Sequence, residues 1–400
     1  MMSGMRILLG VTGGIAAYKA VDILRRLREQ DAEVRVVMTR NASRFVTPLT
    51  FSALSGIPVL TDEFTEGEWG SMGHIAVTDG LDLALVVPAT ANIIGKMAAG
   101  IADDALSTAL MAAECPIIVA PAMNDRMYRN AVLQRNIAGL RTVGIRFVDP
   151  ETGALACGTN GPGRLASPES ILQAVAAALS PKSLAGVKVL VTAGPTREPI
   201  DAVRFISNPS TGKMGYALAA AARNRGAEVS LVSGPTQLPP PQGIDLIAVT
   251  TAAEMDRAVK DHAGRCQVII MAAAVSDFRP LEVSDRKIKK NIALLQLKLE
   301  PTTDILQGLG DAKEGRILVG FAAETDALVL NSREKLARKN LDLIIANDIN
   351  APGSGFAADT NRATMIDRAG TIDELPSMTK AELAVRIIDK VIELKKNQGL

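Results

Sequence analysis

The chain has 400 residues, 48% of them hydrophobic, and can therefore bury two ordinary hydrophobic cores. Its 44 lysines and arginines against 43 aspartates and glutamates give a formal net charge of +1, which leaves no broad basic surface for nucleic acid. Three widely separated cysteines exclude a disulfide framework and offer no paired spacing for zinc, so the sequence predicts a reduced, cytoplasmic protein. No apolar run is long enough for a membrane span, and the first residues fit a strand and a helix better than a signal peptide.

The first half of the chain alternates apolar runs with helical patterns, which predicts a parallel sheet covered by helices. The runs are apolar on both faces, as in buried parallel strands. The predicted strands are RILLGV, EVRVVM, LDLALVV, PIIVA and IRFVD. A helix, PESILQAVAAAL, then leads into SPKSLAG, whose composition is typical of an interdomain linker. We therefore predict one domain over residues 1–181 and another over 187–400.

The second half repeats the opening of the first. VKVLVTAGPT resembles MRILLGVTGG, since each is a strand that runs into a glycine turn, and an AEV strand follows one helix later in both halves. Further predicted strands are IDLIAVT, QVIIMAAA, RILVGFAAE and LDLIIAND, followed by a hairpin, RATMIDRAGTI, and an amphipathic helix. The predicted fold class is α/β, with two Rossmann-like domains and mostly parallel sheets.

Both glycine turns join a strand to a helix, where backbone N–H groups and the positive helix end favour a phosphate. Neither turn has the complete GxGxxG pattern, so a plain strand–helix turn remains an alternative to nucleotide or flavin binding. In the second half, Ser210, Thr211, Gly212 and Gly215 stand at a predicted helix start, but the Gly-Lys-Ser/Thr order of a Walker loop is absent.

Two longer patterns are more specific. VVPATANIIGKMAAGIADDALS, VAPAMNDRMY and ACGTNGPGR resemble the flavin-dependent cysteine decarboxylases. TAGPTREPIDAVRFISNPSTGKMG, AAAVSDFRP, KIKKN, GFAAET and NLDLIIANDI resemble the phosphopantothenate–cysteine ligases. In this order, and nearly end to end, the chain resembles the bifunctional enzymes of coenzyme A biosynthesis.

The resemblance implies a flavodoxin-like FMN decarboxylase domain followed by a ligase domain. The ligase would use CTP and Mg²⁺ to join cysteine to 4′-phosphopantothenate through an acyl-cytidylate. The decarboxylase would convert the product to 4′-phosphopantetheine, with FMN as the electron sink that this carboxylate otherwise lacks. The family also implies a homo-oligomer, with trimers of the flavin domain and dimers of the ligase domain that together allow a dodecamer.

For the decarboxylase, the resemblance implies three catalytic residues. Cys157 would donate a proton, His74 would act as a base or orient the substrate, and Asn124 would bind the substrate carboxylate. A lone histidine is more often structural, and Asn124 also suits a helix N-cap. The implied FMN-binding residues are Gly13, Gly14, Thr39, Pro88, Ala89, Thr90 and Asn92. The segment HIAVTDGLDLA differs from the usual family sequence, which makes flavin contacts from this segment less expected.

For the ligase, the resemblance implies catalytic roles for Asn208, Lys287 and Lys289. The two lysines belong to a cluster with Lys290 that the family places on a flap, and the choice between them stays open. A lysine cluster is otherwise more often a solvated face. The implied substrate and nucleotide contacts are Arg204, Asp277, Thr302, Thr303, Asp304, Ile305, Phe321, Lys335 and Lys339. The metal ligands cannot be assigned.

Two other functions compete with this interpretation. The Rossmann-like starts also suit an NAD(P)-dependent oxidoreductase, although the missing GxGxxG pattern argues against it. A flavin-binding regulatory subunit is a second alternative, because relatives of the decarboxylase fold can have that role. The joint presence of His74, Asn124 and Cys157 argues against a pure binding protein, which needs none of the three.

Overall fold

A computed structural model describes residues 2–62, 73–154, 158, 160–239, 241, 243–289, 296–324, 328–348 and 360–398. The chain divides into two compact units, Met1–Ser180 and Pro181–Leu400. Each unit has its own sheet and its own buried core. None of the described helices is both long and apolar enough to cross a membrane.

The first unit is built on a five-stranded parallel sheet with the strand order β2-β1-β3-β4-β5. Its strands are β1 (Arg6–Val11), β2 (Glu33–Met38), β3 (Leu83–Ala89), β4 (Ile117–Pro121) and β5 (Arg146–Phe147), followed by an antiparallel pair, β6 (Glu151–Ala154) and β7 (Asn160–Arg164). Its helices are α1 (Ala17–Arg28), α2 (Pro48–Ser55), α3 (Gly73–Thr78), α4 (Ala91–Ala99), α5 (Ala105–Ala112), α6 (Asp125–Tyr128), α7 (Ala131–Thr142) and α8 (Pro168–Leu179), with a 3-10 turn at Ala42–Arg44.

Both faces of this sheet are covered. Ile7 and Leu9 of β1 pack in one core with α1 and α8, whereas Leu8 packs in the other with α4, α5 and α7. This explains why the strands are apolar at successive positions instead of alternating. The strand order reverses between β1 and β3, which is where a sheet of this order binds ligands at its carboxyl edge.

The second unit contains an eight-stranded sheet and two small antiparallel pairs. Its strands are β8 (Lys188–Ala193), β9 (Arg197–Pro199), β10 (Phe205–Ser207), β11 (Glu228–Ser233), β12 (Asp245–Ala248), β13 (Val268–Met271), β14 (Phe278–Pro280), β15 (Leu299–Pro301), β16 (Ile317–Glu324), β17 (Leu343–Asp348), β18 (Thr360–Asp367) and β19 (Ile372–Thr379). Its helices are α9 (Lys213–Asn224), α10 (Ala252–Ala263), α11 (Ile305–Asp311), α12 (Leu328–Arg338) and α13 (Lys380–Asn397).

The large sheet has the order β12-β11-β8-β13-β16-β17-β18-β19. The first six strands are parallel, and β18 and β19 add an antiparallel edge. Helices α9 and α13 cover one face, and α10, α11 and α12 cover the other. The order reverses between β8 and β13, so the carboxyl ends of these strands form the expected ligand edge.

The predicted α/β class with mostly parallel sheets is confirmed, as are the hairpin before the last helix and that helix itself. The predicted IRFVD strand pairs over only two residues, Arg146–Phe147. The three-residue strands of the pairs β9–β10 and β14–β15 were not predicted, because they are too short to show a period. Within the predicted linker, Leu184 is buried in the core of the second unit.

Candidate functional site

The carboxyl ends of β1 and β3 meet at the turn that begins with Thr12. The Thr12 hydroxyl donates to the backbone carbonyl of Pro88 over 2.7 Å and accepts from the backbone N–H of Thr90 over 3.1 Å. A Cβ atom at Gly13 would stand 2.4 Å from the Cβ of Asn41, so only glycine lets this turn approach the loop after β2 so closely. Six of the predicted FMN-binding residues lie in these adjoining loops or at the end of β3: Gly13, Gly14, Thr39, Pro88, Ala89 and Thr90.

This edge of the first unit has hydrogen-bond donors suited to a phosphate group. Helix α1 begins after Ala16, which has no side-chain cap for the first-turn N–H groups. In the neighbouring 3-10 turn, Oγ of Ser43 is buried and has no hydrogen-bond partner among the described residues. The uncapped helix, the close glycine turn and the unpaired hydroxyl together fit the phosphate of FMN.

Asn92, the remaining predicted FMN contact, lies in the first turn of α4. It lines a separate cavity of about 550 Å³ that α4 and α7 form within the first unit. Lys96 lies on the same wall and pairs with Asp103 and Asp104 over 2.5 Å each. The charges at the edge of this cavity are therefore paired with one another, Lys96 with the two aspartates.

Asn124 lies directly after β4 and begins α6. Its Oδ1 accepts a hydrogen bond from the backbone N–H of Arg126 over 2.9 Å, so it is the N-cap of the helix. The adjoining N–H of Met123 donates to the carbonyl of Gly163 over 3.0 Å, and a Cβ at Gly163 would lie 2.3 Å from the Met123 carbonyl oxygen. Glycine in β7 thus allows the strand that follows the predicted catalytic loop to lie against Asn124.

The other two predicted catalytic residues of the decarboxylase cannot be placed. His74 belongs to α3, but its side chain lies outside the described residues. Cys157 follows β6 in the sequence and also lies outside them. Their roles remain predictions.

A cavity of about 490 Å³ opens at the carboxyl edge of the large sheet in the second unit. It lies at the switch point between β8 and β13 and extends over the ends of β16 and β17. Nine of the predicted ligase residues line it: Asn208, Asp277, Thr302, Thr303, Asp304, Ile305, Phe321, Lys335 and Lys339. The sheet topology therefore gathers residues that are far apart in the sequence.

One wall of this cavity carries a fixed ion pair. Nζ of Lys339 lies 2.8 Å from Oδ2 and 2.9 Å from Oδ1 of Asp304, the N-cap of α11. One helical turn earlier, Nζ of Lys335 donates to the carbonyl of Phe321 over 3.0 Å. Burial works to raise the pKa of Asp304, but hydrogen bonds from Lys339 and the N–H of Gln307 outweigh it, and the pKa lies below 3.8. This wall therefore presents a carboxylate that is ionised at neutral pH.

The opposite wall is the start of α9. Gly212 precedes the helix with a φ of 79°, the left-handed region that favours glycine, and provides no side-chain cap. A Cβ at Gly215 would lie 2.5 Å from that of Ala193, so glycine lets α9 pack directly against the end of β8. The first-turn N–H groups and the Lys213 side chain line the cavity here, an arrangement that favours phosphate oxygens.

The loop after β13 connects the two walls. The Asn208 amide donates to the backbone carbonyls of Ala274 and Val275 over 3.2 and 3.0 Å. The Thr302 hydroxyl donates to the carbonyl of Ser276 over 2.6 Å, and its N–H donates to the carbonyl of Asp277 over 2.9 Å. These bonds hold the predicted Asn208, Asp277 and Thr302 around one loop.

Three predicted ligase residues, Arg204, Lys287 and Lys289, are not among those that line the cavity. They lie near one another, because Nη2 of Arg204 donates to the backbone carbonyl of Ile288 over 3.3 Å. The two lysine side chains are exposed on either side of Ile288, whereas Lys290 lies outside the described residues. This basic group therefore lies outside the cavity lining, although Arg204 directly precedes β10, which leads to Asn208 in that lining.

Three residues that line the cavity near the antiparallel edge were not predicted from the sequence: Asn347, Asn361 and Lys380. The Asn361 amide donates to Oδ1 of Asn347 over 3.0 Å. The position of Asn347 at the end of a buried strand could have identified it, since ligand groups gather there. Asn361 and Lys380 gave no such signal, because β18 and α13 reach this edge only through the antiparallel return of the chain.

Among the described residues, no group of three His, Cys, Asp or Glu side chains is arranged to hold a metal ion.

Two family models match the chain in succession. The flavoprotein model matches residues 1–180, and the model of the DNA/pantothenate metabolism flavoprotein C-terminal domain matches residues 184–394. The chain is 48% identical over 403 residues to the coenzyme A biosynthesis bifunctional protein CoaBC of Bacillus subtilis (strain 168). That alignment covers 100% of this chain and 99% of the relative.

Two solved structures each match about half of this chain. The C-terminal domain of a coenzyme A biosynthesis bifunctional protein CoaBC is 42% identical, with a TM-score of 0.48, and the match covers 54% of this chain and 99% of that one. The FMN-dependent cysteine decarboxylase SpaF is 34% identical, with a TM-score of 0.38, and the match covers 44% of this chain and 99% of that one.

Proposed function

The chain belongs to the family of bifunctional coenzyme A biosynthesis proteins, and on that premise we propose how its two units divide the two reactions. It is a phosphopantothenoylcysteine decarboxylase and a phosphopantothenate–cysteine ligase. Residues 1–181 carry the decarboxylase and residues 187–400 the ligase. The alternatives of an NAD(P)-dependent oxidoreductase or a regulatory subunit do not account for both family models matching in this order.

The cavity of about 490 Å³ in the second unit is the observation that carries the ligase assignment. A nucleoside triphosphate needs cations and N–H groups for its phosphates, and the cavity has Lys213 and the start of α9 on one wall. Lys335 and Lys339 stand on the other wall. Mg²⁺ would enter with the triphosphate, since it is commonly held by phosphate oxygens, waters and few protein ligands.

In the ligase reaction, a carboxylate oxygen of 4′-phosphopantothenate attacks the α-phosphorus of CTP and displaces pyrophosphate. The amine of cysteine then attacks the acyl carbon and displaces CMP. Asn208 and Arg204 bind the acyl-cytidylate and phosphopantothenate. Lys287 and Lys289 neutralise the negative charge that develops on the phosphates. Asp277, Phe321, Lys335 and Lys339 contact the nucleotide, together with the segment Thr302–Ile305.

In the decarboxylase unit, the loops after β1 and β2 and the end of β3 would hold the cofactor FMN, and the match of this unit to the flavoprotein model supports this. Gly13, Gly14 and Thr39 would bind its phosphate, and Pro88, Ala89 and Thr90 would contact the flavin. Asn92, two residues after the Thr90 N-cap of α4, would contact it too, although it also lines the cavity between α4 and α7. Bound FMN supplies the electron sink that loss of CO₂ requires.

The chain's own residues then bind the substrate and move protons. The amide of Asn124 donates to the substrate carboxylate, and its capping bond to α6 fixes the direction of the side chain. His74 orients the substrate thiol or accepts its proton. Sγ of Cys157 donates the proton that completes the product, a step suited to a thiol with an ordinary pKa near 8.5.

Purified full-length protein tests both assignments. It should be yellow, should release pyrophosphate only when CTP, 4′-phosphopantothenate and cysteine are all present, and should convert supplied 4′-phosphopantothenoylcysteine to 4′-phosphopantetheine. Parallel reactions with ATP measure nucleotide preference. Colourless protein would contradict the flavin assignment, and the absence of pyrophosphate with either nucleotide would contradict the ligase assignment.

The enzyme acts on small molecules. We further propose that it is cytoplasmic and forms a homo-oligomer. Large apolar side chains of the first unit are exposed, among them Leu49 at 74%, Ile15 at 64% and Tyr18 at 60%. Scattered exposed apolar side chains also occur on monomers, so the proposal of a homo-oligomer rests on the family resemblance. Light scattering on the purified protein should give a mass above that of one chain, and a monomer would contradict the oligomer.

A further inference from the structure

Asp201 is a buried carboxylate outside the cavity, in the turn between β9 and β10. Its Oδ1 accepts hydrogen bonds from the backbone N–H groups of Val203 and Arg204, both over 2.8 Å. Its Oδ2 accepts from the N–H of Ile288 over 3.1 Å and lies 3.4 Å from Nη1 of Arg204. One side chain thus binds two parts of the chain that are far apart in the sequence.

The second of these parts is the lysine segment, residues 284–289. The N–H of Ser284 donates to the carbonyl of Ile200 over 3.1 Å, and the carbonyl of Ile288 accepts from Nη2 of Arg204 over 3.3 Å. Both backbone polar groups of Ile288 are therefore bonded to the 200–204 turn. Because Ile288 stands between Lys287 and Lys289, fixing it also fixes the backbone that carries both lysines.

Asp201 is suited to this role as an anion. The N–H of Val203 is the main influence that lowers its pKa, and the N–H groups of Ile288 and Arg204 and the Arg204 charge act in the same direction, against desolvation. Three N–H donors converge on its two oxygens. An asparagine side chain has only one acceptor oxygen. Its NH₂ group, itself a donor, would therefore face either the N–H groups of the turn or the N–H of Ile288.

We propose that Asp201 is a positioning residue of the ligase, which sets the place of Lys287 and Lys289 relative to Arg204. This inference rests on the proposed function, in which the two lysines and Arg204 act on the same acyl-cytidylate. Asp201 itself touches no substrate. It acts through the backbone of Ile288, which the guanidinium of Arg204 also binds.

The test is Asp201→Asn in the full-length chain, with Asp285→Asn as the matched control. Asp285 is exposed in the same segment and loses the same charge. We expect Asp201→Asn to lower kcat for CTP-dependent pyrophosphate release by roughly 10- to 100-fold, since a charge-assisted network is broken. KM for CTP should change little, and Asp285→Asn should match wild type. Decarboxylation of supplied substrate, which needs only the first unit, should be unchanged in both variants.

A double-mutant cycle separates positioning from a merely structural role. If Asp201 acts through the lysines, adding Asp201→Asn to a Lys287→Gln/Lys289→Gln variant should lower kcat for pyrophosphate release by less than about twofold. An equal loss in both backgrounds would overturn the inference. Ile288→Pro, which removes the N–H bound by Oδ2 and leaves the turn intact, provides a second variant if Asp201→Asn does not fold.

The possible results distinguish this inference from the proposed function. Wild-type ligation by Asp201→Asn or by Ile288→Pro would overturn the positioning role and leave the ligase assignment intact. Absence of CTP-dependent ligation in the unmodified protein would overturn both.

Discussion

Nζ of Lys339 lies 2.8 Å from Oδ2 of Asp304, and this ion pair joins the residue after α12 to the N-cap of α11 on one wall of the ligase cavity. The lysine side chain is 11% exposed and the carboxylate 51% exposed. The ammonium group is thus fixed inside the cavity, whereas one side of its partner stays open to ligands. Such a preset cation loses little side-chain freedom when a nucleotide binds.

The first prediction follows from this pair. Lys339→Gln should raise KM for CTP about tenfold or more, because a charge-assisted contact of about 1.5–3 kcal/mol is lost. Lys260→Gln is the matched control, since Lys260 is 60% exposed, pairs with Asp256 on α10 and is not among the residues that line the cavity. Steady-state pyrophosphate release over a CTP series measures both variants. An unchanged KM in Lys339→Gln would remove Lys339 from the nucleotide site.

The second prediction concerns the tight turn at the flavin edge. Gly13→Ala should place a Cβ 2.4 Å from that of Asn41 and 2.7 Å from its backbone carbon, so one of the two loops must shift. We expect the purified variant to have lost most of its flavin absorbance. Gly139→Ala is the control, because a Cβ there meets nothing within 4 Å and alanine favours the interior of α7. Full flavin content in Gly13→Ala would show that the cofactor binds elsewhere.

The sequence predicted the large sheets well, because buried parallel strands are apolar on both faces and stand out from the helices around them. The family resemblance also selected nine residues that the fold brings to one cavity. The sequence could not indicate Asn361 or Asp201. Their importance arises from contacts with Asn347 and Ile288, which only the folded chain brings near.

A third prediction concerns acid and alkaline stability of the second unit. Nζ of Lys390 in α13 lies 3.2 Å from Oδ2 of Asp367 at the end of β18, and both side chains are almost fully buried. Desolvation opposes ionisation of Asp367, but hydrogen bonds from Thr371 and Lys390 outweigh it and lower the pKa below 3.8. Desolvation likewise opposes the charge on Lys390, yet hydrogen bonds to Glu393 and Asp367 raise its pKa above 10.5.

The directions of the two pKa shifts predict that the stabilisation by this ion pair is constant over a middle range of pH. A lowered carboxyl pKa stabilises the fold above pH 3.8, and this stabilisation is lost as pH falls through the folded-state pKa. A raised lysine pKa stabilises the fold below pH 10.5, and this is lost as pH rises through the folded-state pKa. The free energies of unfolding of wild type and Asp367→Asn, measured with urea, should therefore differ by about 3–5 kcal/mol between pH 3.8 and pH 10.5. Outside this range the two free energies should converge. A difference that does not vary with pH would contradict the ion-pair explanation.

The last prediction tests the proton donor of the decarboxylase. Cys157→Ser should keep the flavin bound but form little 4′-phosphopantetheine, because a serine hydroxyl is a far weaker acid than a thiol near neutral pH. An oxidised, decarboxylated species, lighter than the product by two hydrogens, should accumulate and be visible by mass spectrometry. Cys115→Ser is the matched control, since burial raises the pKa of the Cys115 thiol and that partly buried side chain packs against the core of the first unit. If Cys157→Ser turns over at the wild-type rate, the proton must come from another group. His74 would then be the next residue to replace.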